Sequence, residues 1–195
     1  MVNSMKKKED LRIIKTKRNL YEALLSLMKD NTFESIKVSD ICTLALTNRS
    51  TFYDHFNDKY ELLQGLIEDL QIELESKLNE NMQVTDIKTA KEYYLKIIEL
   101  LFDHISENID IYSSILKNNK SSIAYDMFLD ALLKNVEANI DKCKINNGNI
   151  PTPVITTFYV SAVINVCLYF IKDKKQYTKE EVLTFLDELL PSIIY

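Results

Sequence analysis

Glycine occurs twice and proline three times in 195 residues. Folds made of many short strands need far more turn residues, so a sandwich or barrel is excluded and long helices are the expectation. Gly65 and Gly148 stand alone, which leaves no glycine-rich loop to cradle a phosphate. The two histidines, His55 and His104, have no cysteine or second histidine at ligand spacing, so no structural zinc site is expected. Cys42, Cys143 and Cys167 are odd in number and widely spaced in a chain long enough to bury a core. They read as reduced thiols in a reducing compartment. Paired carboxylates at a cleft-forming spacing and a Ser/His/Asp arrangement are also missing, so nothing supports a helical enzyme or a cofactor.

Arginine is scarce and unevenly placed. Arg12, Arg18 and Arg49 are the whole complement, and none follows position 49, although lysine runs throughout. The net charge of −5 argues against a nucleic-acid partner, yet its distribution argues for one. Residues 1–18 carry seven basic side chains against two acidic, and residues 1–60 carry eleven against eight. The remainder is acidic, so a basic binding end sits on an acidic body. Guanidinium is the preferred fork for phosphate and guanine.

No leader is expected. Lys6, Lys7 and Lys8 are followed by Glu9 and Asp10 rather than by an apolar stretch. Residues 154–171 contain no charge, and 14 of the 18 are apolar, a length that on its own would admit a membrane span. Thr156, Thr157, Ser161 and Asn165 interrupt the stretch, and a helix apolar all round can equally be buried. Its β-branched content also admits two strands; its length favours one helix. No membrane association is expected, and the location implied is cytoplasmic.

Periodicity places a first helix ending near 29, then two short apolar segments at 37–45 and 48–56. Asp58 and Glu61 form a capping box for a helix reaching about residue 80. Helices over 87–106 and about 121–144 follow, with a shorter one between. Thr152-Pro153 starts the uncharged helix, and Thr178 with Glu181 caps a last one. The fold class is all-α.

The informative stretch is 37–59, KVSDICTLALTNRSTFYDHFNDK. Two short helices joined by a tight turn form a helix-turn-helix, whose second helix enters the DNA major groove. Ile41, Leu44 and Ala45 supply an inner face. Phe52 and Phe56, four apart, anchor the second helix to the core, and Asn48 suits its N-cap. Thr47, Arg49, Ser50, Thr51 and Tyr53 are left facing outward. Lys59 opens the next helix, where its ammonium and the helix amides would hold a phosphate. Three packed helices with a solvated polar face would show the same periodicity.

At these residues the chain resembles the TetR family of bacterial transcriptional regulators. Ile41, Ala45, Thr51, Phe52, Tyr53, His55, Phe56, Lys59 and Leu62 fit that family's pattern in unbroken register, and the likeness extends over about 12–65. Cys42 stands where alanine is usual, Leu46 where the turn glycine is usual, and Thr47 where valine is usual. Leucine does not readily take the positive φ that glycine tolerates, so the sequence leaves the exact turn geometry open. Thr47-Asn48-Arg49 is also similar to a subgroup related to regulators of dihydroxyacetone-kinase operons.

The resemblance implies an N-terminal three-helix head that binds DNA (1–60) and a larger helical body for ligand binding and dimerisation (61–195). It implies a homodimer packed through 154–171 and 178–190, binding a double-stranded operator as a repressor released by a small-molecule effector. A helical regulator controlled by protein partners, without an inducer, is the alternative. Arg49 and Thr47 are the candidates for base contacts. Lys37, Asn48, Ser50, Thr51, Tyr53, His55 and Lys59 complete the DNA-binding set, with the Lys6–Lys8 arm adding salt-dependent affinity. Ligand-binding candidates in the body are Tyr94, Phe102, Tyr125, Phe128, Phe158 and Asn165, the last of which could equally hydrogen-bond across a dimer interface. Tyr93, His104 and Tyr159 are further aromatic or polar-tipped positions there. Gly65 would serve either as a hinge or as a close helix contact.

Overall fold

The computed structural model describes residues 11–81, 90–116, 123–143, 150–172 and 177–189. Among these every regular element is helical, as the shortage of turn residues requires. In chain order they are α1 (Leu11–Met28), a 3-10 turn (Phe33–Ser35), α2 (Val38–Leu44), α3 (Arg49–Tyr53) and α4 (Lys59–Asn81). Then come α5 (Ala90–Glu107), α6 (Ile109–Leu116), α7 (Ile123–Cys143), α8 (Thr152–Lys172) and α9 (Lys179–Leu189).

The chain divides into two compact units, Met1–Ile67 with Ser113–Tyr125, and Glu68–Tyr112 with Asp126–Tyr195. In the first, Leu20, Leu24 and Met28 of α1 lie fully buried with Phe33, Ile41, Phe52, Leu62 and Leu63. Such burial is worth about 1.5–3 kcal/mol for each large side chain, and it ties the short α2 and α3 to the longer α1 and α4. Short helices have little stability of their own, so this packing is what forms them.

Gly65 decides between hinge and contact. A Cβ there would lie 2.8 Å from the Tyr21 hydroxyl and 3.4 Å from Phe56 Cε1, so the tip of Tyr21 on α1 packs directly on the Gly65 backbone and would have to shift to admit a side chain. Gly65 is a close helix contact.

The second unit buries Phe102 and Ile105 of α5, Phe128 and Leu132 of α7, Val163 and Ile164 of α8, and Val182 and Leu186 of α9. Thr178 starts α9 with both halves of its capping box: its N–H donates to Glu181 at 2.7 Å, and the Glu181 N–H donates to its hydroxyl at 3.2 Å. Lys179 then pairs with Asp103 on α5 at 2.5 Å.

Residues 152–172 form a single helix rather than two strands. No helix among the described residues is long and apolar enough to cross a membrane. Buried Thr156, Val163 and Ile164 mark the inner side of α8. Val154, Phe158, Ala162, Asn165 and Tyr169 are exposed at spacings of four, four, three and four, which is one continuous stripe.

Candidate nucleic-acid interface

The site is built on the turn between α2 and α3. Asp40 accepts a hydrogen bond from the Lys37 N–H at 3.1 Å and so fixes the start of α2. At its end the Thr47 N–H donates to the Cys42 carbonyl at 2.9 Å, and the Leu46 N–H to the Thr43 carbonyl at 3.3 Å. These two bonds are a Schellman closure, whose C′ residue takes the left-handed conformation. Leu46 does so with φ of 52°. The turn therefore keeps the geometry glycine would favour, at a cost of about 1–2 kcal/mol for a residue with a Cβ. Its side chain is 95% exposed.

Asn48 occupies the N-cap of α3, but its side chain makes no capping bond. The backbone supplies the closure: the Phe52 N–H donates to the Asn48 carbonyl at 3.0 Å, and the Phe56 N–H to the Phe52 carbonyl at 2.9 Å. Phe52 is fully buried and its ring lies 6.0 Å from that of Phe56, which in turn is 6.1 Å from Tyr21. The inner side of α3 is thus pinned by apolar contacts alone, leaving its polar side chains available.

Asn48, Arg49, Ser50 and Tyr53 are exposed, and Thr47, Thr51 and His55 are half-buried. The Thr47 hydroxyl donates to the Ala45 carbonyl at 3.1 Å and keeps its lone pairs for a further donor. Arg49 makes no hydrogen bond or ion pair among the described residues. Burial pushes the Cys42 thiol above its ordinary pKa, partly offset by the Arg49 guanidinium, consistent with a reduced core cysteine. Lys37 is exposed at the start of α2. The Lys6–Lys8 arm lies outside the described residues.

Lys59 departs from the role expected of it. Its ammonium donates to the carbonyls of Phe33 (2.8 Å), Glu34 (2.8 Å) and Ile36 (2.7 Å). An ammonium has three protons, so none is left for a phosphate. It also sits 5.0 Å from the Phe33 ring centroid and 5.6 Å from that of Tyr60. Burial draws its pKa below the usual lysine value, with Glu34 opposing. The first α4 amides are taken as well: Tyr60 and Glu61 donate to Asp58 Oδ1 at 2.8 and 2.9 Å. Lys59 anchors the 3-10 turn to α4.

The body candidates separate. Phe102 and Phe128 are buried in the second unit, and Tyr125 is half-buried in the first. Phe158, 68% exposed, and Asn165 lie on the outer stripe of α8 and do not face the interior of their unit. Asn165 instead donates to the Ser161 carbonyl at 2.7 Å. The side chains of Tyr93, Tyr94 and Tyr159 lie outside the described ones.

His104 is wholly buried, with its ring edge-on to Tyr112 at 5.8 Å, and Tyr112 is edge-on to Phe128 at 5.4 Å. His104 Nδ1 lies 3.5 Å from Glu73, while its Nε2 has no hydrogen-bond partner among the described residues. Burial pulls the imidazole pKa down despite Glu73 and Glu107, with Lys77 adding to the fall. Burial alone would raise Glu73, but Lys77, His104 and Asn108 outweigh it and its carboxyl titrates below the usual range. Tyr112 and Glu73 were not singled out from sequence. His104 and Phe128 were legible as polar-tipped or aromatic positions, and the Glu73/Lys77 spacing of four is a further sign of this cluster.

Comparison with known proteins completes the picture. Residues 92–192 match the family model of the TetR type described as a transcriptional regulator C-terminal region. The chain is 29% identical over 133 residues to the HTH-type dhaKLM operon transcriptional activator DhaS of Lactococcus lactis, covering 65% of each protein. It spans less than two thirds of the length of the curated relatives it matches. A TetR transcriptional regulator from Streptococcus agalactiae superposes with a TM-score of 0.62 at 26% identity, covering 91% of this chain and 94% of that one. The transcriptional regulator FadR from Bacillus subtilis, solved in complex with stearoyl-CoA, shares the fold with a TM-score of 0.61 at 18% identity over 90% and 97%.

Proposed function

Because this chain belongs to the TetR family of transcriptional regulators, we propose that it is a sequence-specific DNA-binding regulator acting in the cytoplasm as a homodimer. Its relatives are transcriptional regulators and not enzymes. The head, about 1–60, reads an operator; the body, 61–195, dimerises and takes up a small-molecule effector that releases repression.

The observation that carries DNA reading is the surface of α3: Phe52 holds the helix from behind while Arg49, exposed and without a hydrogen bond or ion pair among the described residues, stands in its first turn. Thr47 and Arg49 are the base contacts in this reading. Lys37, Asn48, Ser50, Thr51, Tyr53 and His55 position the backbone of the duplex. Dimerisation draws support from the exposed stripe of α8 together with Phe185 and Leu189 of α9, an apolar surface that a symmetric partner would cover. Asn165 lies on this stripe, so it is assigned to the subunit interface rather than to a pocket.

An apolar effector held among Phe102, Tyr112 and Phe128 is consistent with a fold neighbour solved with an acyl-CoA. A second reading concerns sign. The similarity to an operon activator supports activation as the alternative to repression, and a likeness to the dihydroxyacetone-kinase subgroup goes with it.

The test is selection of binding sites from random duplex DNA with the purified full chain at two salt concentrations. Enrichment of a palindrome with half-sites about one helical turn apart supports the reading. A pool that remains random at both salts refutes it.

A further inference from the structure

The 3-10 turn that leads into α2 is held from two sides. Its carbonyls are bound by Lys59 at the start of α4. From the other side, the Glu34 carboxylate accepts a hydrogen bond at 2.9 Å from the backbone N–H of Ile123, the first residue of α7 and 89 positions away in sequence. We propose that Glu34 is a positioning residue for DNA reading, a side-chain cap through which the start of α7 fixes where the helix-turn-helix begins.

The chemistry favours this bond. The first amides of a helix have no acceptor within it and carry the positive end of its dipole, so a carboxylate is the fitting partner. Both ends of the bond rest on buried neighbours: Phe33 beside Glu34 and Ala124 beside Ile123 are each fully buried. A shift of the first turn of α7 would therefore pull on the 3-10 turn. From there the chain reaches α2 at once, because Ile36 gives its carbonyl to Lys59 and the Lys37 carbonyl accepts from Asp40 and Ile41 at 3.0 and 3.2 Å. Glu34 itself is exposed, so its carboxylate is not needed to fill the core. The first turn of α7 belongs to the head's unit and the rest of that helix to the other. The inference rests on the DNA-reading assignment for its consequence, but not for the bond itself.

Two substitutions remove the bond from opposite ends. Glu34→Ala deletes the acceptor, and Ile123→Pro deletes the donor at the first helical position, where proline is tolerated. Amide exchange of the full chain without DNA is the first readout. Each variant is expected to raise exchange across 37–53 by about three- to ten-fold, the worth of one hydrogen bond. The double variant should do no more than either single, since both remove one interaction. Glu34→Gln keeps an acceptor oxygen and should stay near wild type.

Affinity for a duplex recovered by selection is the second readout. It should fall by the same factor in both single variants, on selected and scrambled DNA alike, with an unchanged salt slope because no phosphate contact is lost. Unchanged exchange over 37–53 in both singles, or effects that multiply in the double variant, overturns the proposal. If the wild type binds no duplex, the DNA-reading assignment fails while the exchange result still decides whether Glu34 holds the head.

Discussion

Replacing Lys59 with methionine separates two roles for one side chain. The substitution keeps an apolar stem of similar reach and removes the ammonium that donates to Phe33, Glu34 and Ile36. The Glu34 carbonyl is bound in an exposed setting, so water replaces the lost donor at little cost. The Phe33 and Ile36 carbonyls are bound in half-buried settings and each should cost about 1–1.5 kcal/mol, with about 0.5 kcal/mol more from the lost aromatic contacts. Relief from desolvating the charge offsets part of this, leaving an expected loss of about 2 kcal/mol. Urea unfolding followed by far-ultraviolet circular dichroism measures the loss, and amide exchange over 33–37 shows that it arises locally. The log–log salt dependence of DNA binding should keep its slope. A loss under about 0.5 kcal/mol together with a slope reduced by about 0.9 would mean that the ammonium neutralises a phosphate, refuting the anchoring role.

Leu46→Gly relieves the left-handed strain of the α2–α3 turn but adds freedom to the unfolded chain, for a net gain of about 0.5–1 kcal/mol; a lower urea midpoint would contradict this. His104 has its pKa lowered on folding, so below about pH 6.5 the unfolded chain takes up a proton that the folded chain resists. Stability should fall as pH drops from there towards the lowered folded value, and His104→Phe should flatten that part of the profile measured by urea midpoint; equal slopes would count against it. Phe158→Glu places a charge on the exposed stripe of α8 and should turn a dimer into a monomer by sedimentation velocity, whereas a wild-type monomer would remove the dimer reading.

Much of the architecture was legible because its signals are local. Phe52 and Phe56 share a face by spacing alone, and Thr178 with Glu181 announces a helix start three residues apart. Positions whose partners are remote in sequence were not legible. Lys59 reads as a phosphate ligand from its place at a helix start, since nothing nearby shows that carbonyls 23 to 26 residues earlier take its protons. Glu34 gave no sign of capping a helix 89 residues later. The exposure of Phe158 and Asn165 was not legible for another reason: a helix without charge has no polar face to tell inside from outside. Leu46 shows tertiary closure overriding residue preference, because two backbone bonds and a buried Ala45 hold the turn regardless of its side chain.

The central claim is that the outward side of α3 meets base edges, and Arg49 tests it most directly. Fluorescence anisotropy would compare wild type and Arg49→Ala on a selected duplex and on a scrambled one of equal length. The expected result is a loss of about 1–3 kcal/mol on the selected duplex with little change on the scrambled one. Equal losses on both would show that Arg49 touches only the phosphate backbone, and the base-reading role of α3 would fall with it.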